Sequence, residues 1–209
     1  MFQTIKPLIL ASGSPRRETL LSTLGITFTV VVPEVDESLL SGEMEETYTL
    51  RMAQSKGEEV SKNNPSAWVV SADTIVVIED RLLTKPANAE QAIEMLLLLS
   101  GREHQVRTGF CLCCLDQGVS LVRSILSRVR FKDFDIDLAK AYVRTGEPLD
   151  KAGSYGIQGR GGVLVESISG SYSNVVGLPL AEVVDLLAEN RVIVPAGENH
   201  PDGSSENKG

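Results

Sequence analysis

The chain has 209 residues, 42% of them hydrophobic and 23% charged, which fits one elaborated globular domain or two small ones and excludes a chain too polar to build a core. Lys and Arg total 20 against 28 Asp and Glu, a net charge of −8. A nucleic-acid polymer or an anionic membrane surface is therefore a poor partner, and any basic cluster needs a local reason. His104 and His200 are the only histidines, which leaves no pair of His metal ligands at helical spacing. A metal site would have to use carboxylates, which favour hard ions such as Mg²⁺ or Mn²⁺. Cys111, Cys113 and Cys114 lie in the apolar run Phe110–Leu115, a spacing that matches no zinc pattern and reads as buried free thiols in a strand. Free thiols suit a reducing compartment. Only five apolar residues separate Lys6 from Ser12, too few for a secretory leader. No apolar stretch approaches the ~20 residues that span a bilayer. These features predict a cytoplasmic protein.

In chain order, Pro7–Ala11 is a short apolar run and predicts a buried strand. Ser12-Gly-Ser-Pro15 breaks it, and Ser14 followed by Pro15 predicts a helix start. That helix carries Leu20, Leu21 and Leu24 and stops by Gly25. Phe28–Val32 predicts a second strand. After an acidic stretch, a helix is expected from about Glu45 to Lys62. Trp68–Val70 and Thr74–Ile78 predict two strands flanking Ser71-Ala-Asp73. Asn88 caps a helix through Leu99. Long strands follow at about Gln105–Leu115 and Val119–Phe131, joined by the hairpin signal Asp116-Gln-Gly118. Asp135 caps a helix reaching Gly146, a glycine-rich segment runs from Gly153 to Gly162, and Val163–Val165 predicts a strand. A last helix spans about Pro179 to Asn190. The alternation with a mid-chain hairpin implies an α/β fold with a mixed, twisted sheet and flanking helices. Residues 1–194 are expected to form the domain, with 195–209 of flexible tail or linker composition.

Ala11-Ser-Gly-Ser-Pro-Arg-Arg17 places two arginines in the first turn of a helix. Cations there oppose the helix dipole, whereas an anion between them and the free N–H groups suits it. Surface arginines on a solvated face are the alternative. The segment lacks the glycine and lysine spacing of a P-loop and of a dinucleotide fingerprint. Asp36-Glu37 follows one predicted strand, and Asp73 sits between two others. A carboxylate so bracketed is either a turn former or a ligand-directed group. Lys56 and Lys85, the latter before Pro86, add cations. Cations to neutralise a polyphosphate, with carboxylates to hold a divalent ion and deprotonate water, suggest phosphate chemistry. His104 is read as structural.

The ordered set Leu8-Ile-Leu-Ala-Ser-Gly-Ser-Pro-Arg-Arg17, Asp36-Glu37, Lys56, Ser71-Ala-Asp-Thr-Ile-Val76, Lys85-Pro86, Leu99-Ser-Gly101 with His104, Asp150-Lys-Ala-Gly-Ser-Tyr-Gly-Ile-Gln158, Gly170-Ser-Tyr172 and Asn174-Val-Val-Gly-Leu-Pro179 resembles the Maf family of nucleoside triphosphate pyrophosphatases. It is also similar to the Maf-like domain that forms the N-terminal part of acetylserotonin O-methyltransferase-like proteins, and the tail composition fits a domain followed by another. The resemblance implies a Maf / inosine triphosphate pyrophosphatase-like fold, a common homodimer, and hydrolysis between the α and β phosphates with Mg²⁺ or Mn²⁺. By position, Asp73 matches the proton acceptor, and Ser12, Arg17, Lys56 and Lys85 match phosphate-handling residues. Glu37 and Asp36, with Asp73, match the metal side. Arg16, Thr74 and Gln158 match the positions that mark the branch preferring dTTP and UTP over 7-methylguanosine triphosphate. A nucleotide-binding module with vestigial hydrolysis is the alternative reading. Gly57 departs from the family, which more often has Ala there, at a cost of up to ~1 kcal/mol in a helix interior.

Overall fold

A computed structural model of the chain describes residues 1–197. The remainder of the tail, with His200, lies outside the described residues. A mixed sheet has the strand order β3 (Thr29–Val31), β2 (Leu8–Ala11), β4 (Trp68–Ile78), β6 (Glu103–Cys114), β7 (Val119–Phe131) and β8 (Val165–Ser169), with β5 (Arg81–Leu83) also paired to β4. β2 runs parallel to β3 and β4, and the remaining pairings are antiparallel. A separate ribbon joins β1 (Phe2–Thr4) to β9 (Ile193–Pro195), so ordered pairing reaches Pro195, one residue beyond the expected domain limit.

Helices cover both faces. α1 (Pro15–Ser22) and α6 (Leu180–Glu189) pack on Leu10, Val70, Phe110 and Leu112, while α3 (Ala89–Leu99) and α4 (Ile136–Val143) pack on Val76, Ile78, Val106 and Phe131. Alternation along β4 sends Val69, Ile75 and Val77 to the other face, where α2 (Glu45–Asn63) covers them with Tyr48, Met52, Ala53 and Val60. The caps read from sequence form at two helices: Asn88 accepts from the Gln91 N–H at 2.8 Å, and Asp135 from the Leu138 N–H at 3.0 Å. Ser14 is the N-cap of α1, but its side chain makes no capping bond. The three cysteines are free and buried, as expected.

Several expectations need correcting. Trp68–Ile78 is one continuous strand rather than two, because β6 pairs with it from Val69 through Val77. Asp73 therefore stands mid-strand, which removes the turn reading. The strand expected at Val163–Val165 begins only at Val165; Gly159–Leu164 is a 3₁₀ helix, a tight form suited to its glycines. A short helix, α5 (Tyr172–Val176), and strands β1, β5 and β9 lacked a periodic signal. Gly57 has a packing reason: a Cβ there would meet the Ser71 hydroxyl at 2.8 Å and the Cys113 thiol at 3.1 Å. The lost helix propensity is offset by close contact between α2 and the sheet. No helix among the described residues is long and apolar enough to cross a membrane.

Candidate active site

β2 ends at Ala11, opposite Ser71 of β4, while β5 begins pairing on that same edge at Val76. Between them, Ala72–Ile75 presents an unpaired edge. The carboxyl end of a parallel strand, where neighbouring connections diverge, is where α/β sheets open a crevice. A cavity of about 600 Å³ lies there, walled by Ala11–Arg17, Asp73–Val76, Thr84-Lys85 and the Asp150–Gln158 segment. It gathers Ser12, Arg16, Arg17, Glu37, Lys56, Asp73, Thr74, Lys85 and Gln158.

Alternation places Asp73 and Thr74 on opposite faces of β4. Asp73 points toward α2, where Lys56 donates to its Oδ1 at 2.6 Å. The same ammonium meets Glu37 Oε1 at 2.6 Å. Lys56 and Asp73 are buried, whereas half of the Glu37 side chain remains exposed. Burial disfavours ionised Glu37, but the Lys56 hydrogen bond and charge, with Lys85 and Arg17, outweigh it and hold its carboxyl below the usual range.

On the other face, Arg17 is locked by three acceptors. Its Nε donates to the Gly177 carbonyl at 2.7 Å, Nη2 to Thr74 Oγ1 at 3.1 Å, and Nη1 to Ser12 Oγ at 3.4 Å. Gly177 has φ +121°, a conformation a side chain would disfavour. Burial lowers the Arg17 pKa, with Asp73 opposing that shift; a guanidinium stays charged regardless. Ser12 Oγ also accepts from the Ser14 N–H at 3.1 Å, which fixes the turn into α1.

At the mouth, Arg16 Nη1 meets Asp150 Oδ2 at 3.2 Å, joining α1 to the 3₁₀ turn Glu147–Asp150. Gln158 lies on the cavity wall, and among the described residues no hydrogen bond ties its amide to the surrounding loop. Lys85 is exposed at the rim after β5.

Asp36 is not brought to the cavity. Its Oδ1 accepts the Ser38 N–H at 2.9 Å and hydroxyl at 2.6 Å in an exposed turn, and it is not among the residues that line the cavity. Consecutive residues of an irregular segment need not share a side, so adjacency to Glu37 carried no geometric weight. His104 lies outside the cavity as expected, with Nε2 2.8 Å from the Tyr155 hydroxyl and its ring edge-on to Phe131. Burial pushes its pKa down to about 4.

Sequence reasoning passed over Tyr48, Asp150 and Lys151, which also line the cavity. Asp150 and Lys151 stand inside a motif already singled out. Tyr48 sits two helical turns before Lys56, on the same side of α2, a spacing that could have flagged it.

No group of three or more His, Cys, Asp or Glu side chains among the described residues is arranged to hold a metal ion. The donor set is two carboxylates, Glu37 and Asp73, meeting one ammonium. Magnesium-like ions are commonly held by one or two carboxylates together with substrate phosphates and water. The pair therefore fits a hard divalent ion that arrives with a phosphate. Arginines and lysines can bind a polyphosphate while a carboxylate among them takes a proton from water.

The model of the Maf-like protein family matches residues 7–190. Over 193 residues the chain is 49% identical to the dTTP/UTP pyrophosphatase of Desulfotalea psychrophila, covering 92% of this chain and 99% of that protein. It is 46% identical over 187 residues to the dTTP/UTP pyrophosphatase of Geotalea uraniireducens, covering 90% and 96%. The protein of the same name from Myxococcus xanthus is 47% identical over 188 residues, covering 90% and 94%.

Proposed function

The chain belongs to the family of Maf-like proteins, and from that premise we propose that it is a nucleoside triphosphate pyrophosphatase acting on dTTP and UTP. The observation that carries the reading is Asp73, held 2.6 Å from Lys56 in a cavity that also holds Arg17 and Lys85. Relatives at 46–49% identity over about nine-tenths of this chain bear that activity in their names.

In the proposed reaction Asp73 accepts a proton from water as the hydroxyl oxygen bonds to phosphorus. The bridge between the α and β phosphates breaks, and pyrophosphate leaves with the bonding electron pair. Arg17, Lys56 and Lys85 bind the phosphate oxygens, with Ser12 at the turn into α1. A divalent ion, Mg²⁺ or Mn²⁺, would be held by Glu37 and Asp73 and would neutralise charge on the phosphates. Arg16, Thr74 and Gln158 shape the base end. Thr74 contributes by fixing Arg17, since its hydroxyl is already engaged with Arg17 and Thr108.

Pool cleaning of pyrimidine or modified nucleotides is the proposed role, in the cytoplasm. Homodimer formation is proposed too, supported by the exposed Leu115 and Leu121 on the long hairpin. The tail composition supports residues 1–194 as the catalytic unit.

Pyrophosphate release from a panel of nucleoside triphosphates with Mg²⁺ or Mn²⁺ tests the activity. Release from dTTP and UTP is expected. Tight binding without release would favour a nucleotide-binding module with vestigial hydrolysis, and sedimentation at several concentrations tests the dimer.

A further inference from the structure

Glu37 lies in a segment without regular structure, between the end of β3 at Val31 and the start of α2 at Glu45. Such a segment has little intrinsic reason to hold a half-exposed carboxylate 2.6 Å from Lys56. Two side chains of α2 supply that reason. The Tyr48 hydroxyl donates to the Glu37 carbonyl at 3.0 Å. Arg51 Nη2 donates to the next carbonyl, that of Ser38, at 3.1 Å.

Arg51 is itself held in place. Glu43 accepts from its Nε at 2.6 Å and from its Nη2 at 2.5 Å, a two-point pairing that fixes the guanidinium plane. Glu43 Oε2 also takes the Leu40 N–H at 3.2 Å, which ties the far end of the same segment. The guanidinium stacks 5.5 Å above the Tyr48 ring. Tyr48 is buried and lines the cavity wall. Successive carbonyls at 37 and 38 are thus pinned by the helix that also carries Lys56.

We propose that Tyr48 and Arg51 are positioning residues that hold the backbone at Glu37 so that its carboxylate meets Lys56. The inference rests on the reading that Glu37 acts in the site. Neither residue touches the reacting atoms in this account; each works through Glu37.

The test is a double-mutant cycle on kcat/KM for dTTP, with melting temperature measured alongside. Tyr48→Phe removes only the hydroxyl, and one lost hydrogen bond corresponds to about a five-fold fall. Glu37→Gln is expected to lower the rate by itself. In the Glu37→Gln background, Tyr48→Phe should then change the rate less than about two-fold, because the group it positions is gone. Arg51→Lys keeps the charge but not the two-point geometry and should behave like Tyr48→Phe. It also serves where Tyr48→Phe lowers the melting temperature. Equal losses from Tyr48→Phe in both backgrounds, or none in the parent, overturn the inference. Unchanged activity in Glu37→Gln alone would instead remove the reading of Glu37, and the positioning role with it.

Discussion

Asp73 and Gly109 stand directly opposite each other on β4 and β6. Their side-chain directions share the face that α2 covers. A Cβ on Gly109 would overlap the Thr49 carbonyl and lie 2.9 Å from the Leu50 nitrogen, both α2 backbone atoms that cannot swing away. Glycine at this position lets α2 seat on the sheet two turns before Lys56. Gly109→Ala is expected to lift the helix and separate Lys56 from Asp73. Overpacking of this kind costs about 1–3 kcal/mol. Chemical denaturation and kcat/KM for dTTP should both decline; a variant as stable and active as the parent would sink the account.

Asp73→Asn retains the shape and the hydrogen-bonding position but removes the proton acceptor. A fall of ~10²–10⁴-fold in turnover is expected, the usual contribution of a general base. The variant must first be shown to fold by circular dichroism. Near-parent turnover from a folded Asp73→Asn protein would assign the base elsewhere.

Arg17, Lys56 and Lys85 face phosphates common to every nucleoside triphosphate. Alanine at any of them should weaken dTTP and UTP alike. Lys85 is the cleanest probe, because it is exposed and its substitution is expected to leave the fold intact. Arg17→Ala has a second effect: it frees the Gly177 carbonyl and Thr74 hydroxyl that Arg17 now satisfies. A measurable loss of stability should accompany its loss of binding. A large shift in dTTP-to-UTP preference from Lys85→Ala would contradict phosphate binding.

The strongly periodic or capped elements were legible in sequence. The helix after Asn88 and the hairpin flanking Asp116–Gly118 formed where propensity and turn chemistry agreed. The break expected at Ser71–Asp73 failed because β6 supplies a continuous partner, a tertiary fact that local propensity cannot contain. The cavity gathered Ser12, Lys56, Asp73 and Gln158 from distant segments, an arrangement foreshadowed only by family resemblance. Asp36, one residue from Glu37 in an irregular segment, has its carboxylate bonded to Ser38 and outside the cavity lining, a placement that sequence adjacency does not reveal. The Tyr48 and Arg51 contacts stayed hidden because their acceptors are backbone carbonyls, which carry no sequence signature.

His104 makes stability depend on pH in a definite direction. Burial beside Phe131 and Tyr155 pushes its pKa from 6.5 down to about 4. The unfolded chain therefore binds a proton near pH 6.5 that the folded chain refuses until near pH 4. Stability from this group is full above about pH 6.5, falls as pH drops toward 4, and falls no further below that. The total is about 3 kcal/mol at most. His104→Gln keeps a polar partner near the Tyr155 hydroxyl but cannot titrate. Urea midpoints from pH 7 to 4 should show the parent losing more stability than the variant; parallel curves would reject the assignment.

Gln158 is expected to read the base. An amide offers N–H and C=O groups complementary to the adjacent C=O and N–H of thymine or uracil. Among the described residues no hydrogen bond engages its amide, and Arg16, paired with Asp150 at the same mouth, bounds that end of the cavity. Polar sites reject mismatched ligands sharply because a mismatch leaves buried groups unsatisfied. Gln158→Ala should reduce discrimination between dTTP and purine triphosphates. One net hydrogen bond is worth ~0.5–1.5 kcal/mol, and an unpaired partner ~1–3 kcal/mol. Selectivity should then fall by roughly one to two orders of magnitude. Phosphate binding should change little, since the residue carries no charge. The measurement is kcat/KM for dTTP, UTP, CTP and GTP in parent and variant. A common fall across all four would mean that Gln158 supports the loop rather than reading the base.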